Sequence, residues 1–196
     1  MERVNVKKTS KKYNVVSLFA GIGGLDLGFE YAGFNVVWAN DFDKYAVQTY
    51  KKNVGNQIIL GDIYDEKDNI PPHEILIGGF PCQPFSTLGS LKGFADQRGE
   101  LFFLIKEIIM KHYPKVVVLE NVKNIKNHDK GETFKRIVHE LESIGYEVLD
   151  KVLNSQNFGV PHRRNRVFII ALKKDSFDSF DFAFPEGFDS NVTAQD

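Results

Sequence analysis

Cysteine is nearly missing from this chain: Cys82 is the only one in 196 residues. That excludes an internal disulfide framework and any CxxC pair for redox chemistry or structural zinc, so if Cys82 matters it matters as a thiol. Long apolar runs are missing as well. No stretch approaches the roughly 18–20 residues that a membrane-crossing helix needs, and the start, MERVNVKKTSKKYN, is basic but lacks the apolar segment of a secretory signal. The reading is a soluble, cytoplasmic protein with no membrane partner. Neither sign of charge is in excess, with 25 Lys+Arg against 26 Asp+Glu and a formal net charge of -1. No internal repeat occurs at solenoid spacing. What is present is 42% hydrophobic and 13% aromatic residues. A chain of this size then buries roughly 70% of the surface its unfolded form exposes, which excludes disorder and coiled coil as descriptions of the whole.

Residues 1–13 carry Arg3, Lys7, Lys8, Lys11 and Lys12 and read as a basic arm, a frayed terminus more readily than a nucleic-acid arm. From there the apolar runs are short and continuous: YNVVSLFA, NVVWA, QIIL, EILIGGF, KVVVLEN and RVFIIAL. Continuous runs mark strands covered on both faces, as in parallel sheets. Between them, Leu101, Leu104, Ile105, Ile108 and Ile109 recur at helical spacing, as do Phe134, Ile137, Val138, Leu141 and Ile144, with Gly145 placed to end the second helix. Strand and helix alternate, so the expected fold is α/β with a doubly wound, mostly parallel sheet over 14–172. The tail, 173–196, is acidic and rich in Phe, without a period, and reads as a packed extension or a linker.

The first strand runs into Phe19-Ala20-Gly21-Ile22-Gly23-Gly24 and then an apolar helix. Glycines at such a turn let a ligand approach the backbone and face a helix N-terminus. A dinucleotide fingerprint fails, because Asp26 stands where the last glycine of G-x-G-x-x-G belongs. Asp41 lies 20 positions beyond Gly21, at the end of the second strand. An acid there suits a ribose diol, and Phe42 beside it suits an adenine face; the competing role for Asp41 is to cap the next helix. Asp62, at the end of the third strand, suits the adenine amino group. Three such groups at successive strand ends describe a nucleoside pocket.

Cys82 lies in Gly78-Gly79-Phe80-Pro81-Cys82-Gln83-Pro84-Phe85-Ser86, after a strand. A lone cysteine is by default an inert core residue. Here two prolines and a glycine pair fix a loop at a strand's carboxyl end, where a partly exposed thiol can ionise and act as a nucleophile.

Taken together, FAGIGG at 19–24, GGFPCQPFS at 78–86, ENV at 120–122 and QNFGVPHRRNR at 156–166 resemble, in order, the motifs of the cytosine carbon-5 DNA methyltransferases of restriction-modification systems. Gly89, Gly93, Asp96, Arg98-Gly99 and Leu101-Phe102 follow the cysteine in the series that family shows. The resemblance covers roughly residues 14–172. It implies a Rossmann-like fold that binds S-adenosylmethionine, released as S-adenosylhomocysteine, and needs no metal. It implies that Cys82 supplies the thiolate that adds to cytosine carbon 6, and that Glu120 is the acid at nitrogen 3 and the exocyclic amine. Glu120 as a helix-start carboxylate is the plainer alternative. Arg164 and Arg166 match the pair that holds the target base and its phosphate. Phe19, Gly21, Gly23 and Leu25 would take the methionine part of the cofactor, with Asp41 for the ribose, and Phe42, Asp62 and Ile63 for the adenine; Pro81 joins that set. Asp41 replaces the family's more usual Glu, and His162 its usual Gln.

The partner so implied is double-stranded DNA, with the target base extruded into the pocket. The family's later elements, a target-recognition domain and a terminal segment that covers the cofactor pocket, would follow where this chain reaches Asp196. The expectation is therefore a methyl-transfer half, inactive alone, whose recognition half lies in cis or in a separate subunit. Its apolar sheet surface near Val15 would be exposed and would favour self-association. A tRNA cytosine-5 methyltransferase and a non-catalytic cofactor-binding subunit are the alternatives. A zinc-dependent deaminase is excluded, since its metal needs a Cys/His cluster.

Overall fold

The computed structural model describes residues 13–80, 97–177 and 182–189, with 97–100 described by backbone alone. They form two compact units.

The first unit contains residues 13–79 and 111–114. It runs β1 (Asn14–Leu18), α1 (Gly24–Tyr31), β2 (Asn35–Asp41), α2 (Lys44–Asn53), β3 (Ile58–Leu60), α3 (Ile63–Glu66) and β4 (Ile75–Gly78). The strands lie in the order β3-β2-β1-β4, and every neighbouring pair is parallel. The continuous apolar runs behave as expected of strands covered on both faces. Val15, Val16 and Leu18 are all 0% exposed. This corrects the expectation of apolar sheet surface near Val15: β1 is paired on both edges, with Val15 opposite Val36 on one side and Ile75 on the other. Helix starts are set by short acids. Asp43 accepts from the N–H groups of Tyr45 and Ala46 to open α2, and Asp62 accepts from that of Tyr64 to open α3.

The second unit contains residue 80, residues 97–110 and the described residues from 115 onward. It holds most of α4 (Gln97–His112), then β5 (Val116–Val122), α5 (Glu132–Ser143), β6 (Tyr146–Asn154) and β7 (Asn165–Lys173). Both helices read from periodicity are present. Helix α4 buries Phe102, Leu104, Ile105, Ile108 and Ile109, and α5 buries Phe134, Ile137 and Leu141; each such side chain is worth about 1.5–3 kcal/mol. Gly145, at φ +92°, takes the left-handed position that ends α5. Lys106 of α4 reaches Glu140 of α5 at 2.6 Å.

The strand order here is β5-β7-β6, and both pairings are antiparallel. Two details therefore differ from the sequence reading. The run RVFIIAL, expected as a parallel strand, is antiparallel to β5, because a continuous apolar run reports burial on two faces and not direction. Strand β6 was not anticipated: Glu147, Asp150 and Lys151 interrupt its apolar content, as suits a strand that pairs on one edge with β7. Of the described part of the tail, Lys173 closes β7, Lys174–Ser176 form one 3-10 turn, and 182–189 has neither helix nor strand. This last segment docks on the turn after β6, where the Phe188 N–H donates to the Asn157 carbonyl at 2.9 Å. No helix among the described residues is long and apolar enough to cross a membrane.

Candidate active site

In the first unit, the strand-to-helix turn takes three left-handed residues in succession of alternate positions: Phe19 at φ +54°, Gly21 at +57° and Gly23 at +89°. Phe19 adopts this region despite its Cβ, a strain typical of ligand-facing turns. The Ala20 N–H donates to the Asn40 carbonyl and the Gly23 N–H to the Ala20 carbonyl, both at 2.9 Å, which fixes the turn against β2. A Cβ on Gly21 would meet no atom within 4 Å, so that side of the turn is open.

Asp41 faces this turn. Its Oδ2 accepts from the Gly21 N–H and its Oδ1 from the Asp43 N–H, each at 2.8 Å, with the residue 7% exposed. The helix-capping role is therefore not Asp41's; Asp43 has it. Phe42, next to it, is 74% exposed and presents its ring to solvent. Asp62 is exposed and caps α3, Ile63 is buried, and Leu25 is half-buried in the first turn of α1. Sequence reading passed over Asn40. Its buried amide donates to the Gly61 carbonyl at 2.9 Å and so holds together the strand ends that carry Asp41 and Asp62.

The second unit brings together three residues expected to act on the base. Glu120 lies within β5, not at a helix start. Its Oε1 is 2.7 Å from Nε of Arg166 and 3.9 Å from Nη2 of Arg164. The antiparallel register causes this, since it sets Glu120 opposite Phe168 and Val122 opposite Arg166, making Glu120 and Arg166 diagonal neighbours. Arg164 is half exposed at its side chain, and the backbone of its loop is closed by Ser155, whose N–H donates to the Arg164 carbonyl and whose hydroxyl donates to that of His162.

Asn121, which sequence reading quoted only as part of a motif, is buried with its amide donating to the Phe80 carbonyl at 3.0 Å. Phe80 is the residue before Pro81 and Cys82. Pro81, Cys82 and the rest of the thiol loop through Asp96 lie outside the described residues. The two successive residues Glu120 and Asn121 thus anchor, respectively, the arginines and the approach to the thiol loop.

A family profile described as C-5 cytosine-specific DNA methylase matches residues 13–196. Type II methyltransferase M.NlaX of Neisseria lactamica is 46% identical over 177 residues, which is 89% of this chain and 56% of that protein. Type II methyltransferase M1.ScrFI of Lactococcus lactis subsp. cremoris is 48% identical over 183 residues, 91% of this chain and 46% of that protein. A crystal structure described as a DNA modification methyltransferase encoded within an E. coli prophage superposes with a TM-score of 0.74 at 27% identity, over 93% of this chain and 53% of its own. The S. pombe Dnmt2 methyltransferase shares the fold, with a TM-score of 0.68 at 23% identity over 88% of this chain and 53% of its own. The chain spans about half the length of the curated relatives it matches.

Proposed function

This chain belongs to the C-5 cytosine-specific DNA methylase family, and from that we propose that it carries the methyl-transfer half of an enzyme that methylates carbon 5 of cytosine in double-stranded DNA. The observation that carries the proposal is the convergence of Arg164 and Arg166 on one carboxylate oxygen of Glu120. Guanidinium groups suit a phosphate and a planar base, and a carboxylic acid beside them suits nitrogen 3 and the exocyclic amine of cytosine.

The residues of the glycine turn fit S-adenosylmethionine. The open side of Gly21 admits a ligand against the backbone. Each Asp41 oxygen accepts one backbone N–H, and a carboxylate oxygen has a second lone pair for a ribose hydroxyl. The exposed Phe42 ring offers a face for adenine. Phe19, Gly23, Leu25, Asp62, Ile63 and Pro81 complete the set we assign. When bound, S-adenosylmethionine supplies an electrophilic methyl group on sulfur and departs as S-adenosylhomocysteine.

The chain's own residues do the rest. The Cys82 thiolate forms a carbon–sulfur bond to carbon 6 of the extruded cytosine while Glu120 delivers a proton to nitrogen 3. Carbon 5, thereby made nucleophilic, accepts the methyl group. Transfer of the carbon 5 proton to a water molecule then re-forms the carbon 5–carbon 6 double bond and expels the Cys82 thiolate, and the nitrogen 3 proton returns to Glu120, leaving 5-methylcytosine. Arg164 and Arg166 hold the base and its phosphate, and no metal takes part. Extruding the base costs a few kcal/mol, so we assign the reaction to this half acting in the cytoplasm with a recognition half, in the same polypeptide or another. The type II names of the curated relatives favour DNA over tRNA.

The test is a mechanism trap. With S-adenosylmethionine and a recognition half present, duplex DNA carrying 5-fluorocytosine at the target should leave a covalent adduct on Cys82, because fluorine does not depart as a proton does. Cys82→Ser should abolish it. An adduct that survives Cys82→Ser, or one formed on tRNA and not on DNA, overturns the proposal.

A further inference from the structure

Beneath the glycine turn lies a buried polar group that the proposed reaction does not use. Asp26, in the first turn of α1, is 0% exposed. Its Oδ2 accepts from the Ser17 hydroxyl at 2.9 Å and its Oδ1 from the Tyr50 hydroxyl at 2.8 Å. The Tyr50 oxygen in turn accepts from Nε2 of Gln57 at 3.2 Å, so donor and acceptor roles along this chain of groups are consistent. Burial raises the pKa of Asp26 above the ordinary carboxylate value, and raises that of Tyr50 as well. A charge placed here is costly to hold without both donors.

The ring of Tyr50 explains why the arrangement matters. It belongs to the core cluster of Ala39, Val47 and Ile58, against which Ala20 of the turn also packs. A Cβ on Gly23 would lie 2.8 and 2.9 Å from two Tyr50 ring carbons and 2.6 Å from a methyl of Val54. The ring therefore occupies the space under Gly23. Its position along that axis is set at the far end by the hydroxyl, which is tied to a residue three positions after Gly23. The turn is held from below by a side chain that α1 itself anchors.

We propose that Tyr50, held by Asp26, is a positioning residue that sets the Gly21–Gly23 turn in the shape the methyl donor requires. The proposal deepens the cofactor assignment above and rests on it. Tyr50 touches no donor atom; it acts through Gly23. Loss of its hydroxyl bond frees the ring to shift, and the turn backbone shifts with it.

Calorimetric titration of the full 196-residue chain with S-adenosylmethionine tests this, alongside thermal unfolding of each variant. Tyr50→Phe should weaken donor binding by tenfold or more at a temperature well below its unfolding transition, because it keeps the ring and removes the tie to Asp26 together with the longer bond from Gln57. Asp26→Ala should do the same, whereas Asp26→Asn, which keeps an oxygen to accept the Tyr50 hydroxyl, should stay within about threefold of the parent. A purely structural network would lower the unfolding temperature and leave the affinity of the folded chain alone. Asp41→Ala separates the two readings. Donor binding that Asp41→Ala weakens but that stays within twofold of the parent in Tyr50→Phe overturns this proposal alone. Binding indifferent to Asp41→Ala and to Tyr50→Phe overturns the cofactor assignment with it.

Discussion

Nε of Arg166 stands 2.7 Å from Oε1 of Glu120, with both side chains 23% exposed. The two residues lie on adjacent antiparallel strands, so the pair ties β5 to β7 as well as belonging to the candidate site. Removing the charge at 120 leaves Arg166 half-buried beside a neutral group. Glu120→Gln should cost about 1.5–3 kcal/mol of stability, the range for a hydrogen bond to a charged group. Its effect on chemistry should be larger: the rate of adduct formation should fall by about 10²–10⁴, the usual contribution of a positioned acid or base. Denaturant unfolding and single-turnover trapping measure the two separately. A loss of stability with unchanged trapping would make the pair a strand tie and nothing more.

The Asn121 amide makes a second, independent prediction. It donates to the buried Phe80 carbonyl, just before the thiol loop. Asn121→Asp keeps the shape and the acceptor but has no donor for that carbonyl, and places two acceptors face to face. The expected cost is about 1–3 kcal/mol, that of an unsatisfied buried group. Adduct formation on Cys82 should slow with it, read as the trapping rate on 5-fluorocytosine DNA.

How legible all this was in the sequence depends on range. The glycine turn, the two periodic helices and Gly145 were legible because each is a local pattern: φ-permissive residues, or apolar spacing within a few turns. The Glu120–Arg166 contact was not, because it depends on an antiparallel register, and nothing in RVFIIAL states direction. Strand β6 escaped because Glu147, Asp150 and Lys151 mask it. Asp26 read only as a failed glycine of a fingerprint, since its partners Ser17 and Tyr50 arrive from other elements. Asp41 is the instructive middle case: its position was legible, but Asp43, two residues on, took the capping role.

A pH dependence follows from His73 and His112, whose rings stack with centroids 4.9 Å apart. Nε2 of each is buried without a hydrogen-bond partner among the described residues. Burial, above all, lowers both pKa values below the ordinary histidine value of 6.5; the His112 ring adds to this at His73, and Lys111 at His112, while the Pro71 carbonyl opposes it at His73. The unfolded chain then binds protons near pH 6.5 that the folded chain refuses. Stability is therefore full above about pH 6.5 and is lost as pH falls below it. Asp68 and Glu140, lowered by Lys111 and Lys106, lose their contributions only in the lower carboxylate range, and Asp26, raised by burial, works in the opposite sense. His112→Phe should keep the stacked ring, leave stability at pH 8 unchanged or higher, and flatten the loss between pH 6.5 and 5. Chemical denaturation at both pH values checks it; an unchanged slope would place the titrating groups elsewhere.

The last prediction concerns the tail. Gly187 is not among the glycines with positive φ, so its lack of a side chain answers to space and not to backbone conformation. A Cβ there would lie 2.5 Å from Asn157 Cβ and 3.0 Å from the Asn157 carbonyl oxygen, the latter a backbone atom that cannot swing aside. That same carbonyl accepts from the Phe188 N–H, and the Phe188 ring comes within 3.6 Å of where a Cβ on Gly159 would stand. Close approach at 187 is thus the condition for the hydrogen bond at 188. The turn it grips begins at Ser155, whose N–H holds the Arg164 carbonyl, so the tail braces the loop that presents Arg164. Gly187→Ala should force the segment off the turn at a cost of about 1–3 kcal/mol, as overpacking does elsewhere. Hydrogen exchange at the Phe188 amide is the direct measurement: protection should drop sharply in Gly187→Ala while amides of β1 and β4 keep theirs. Unchanged protection at Phe188 would show that the tail docks by its phenylalanines and owes nothing to the missing side chain.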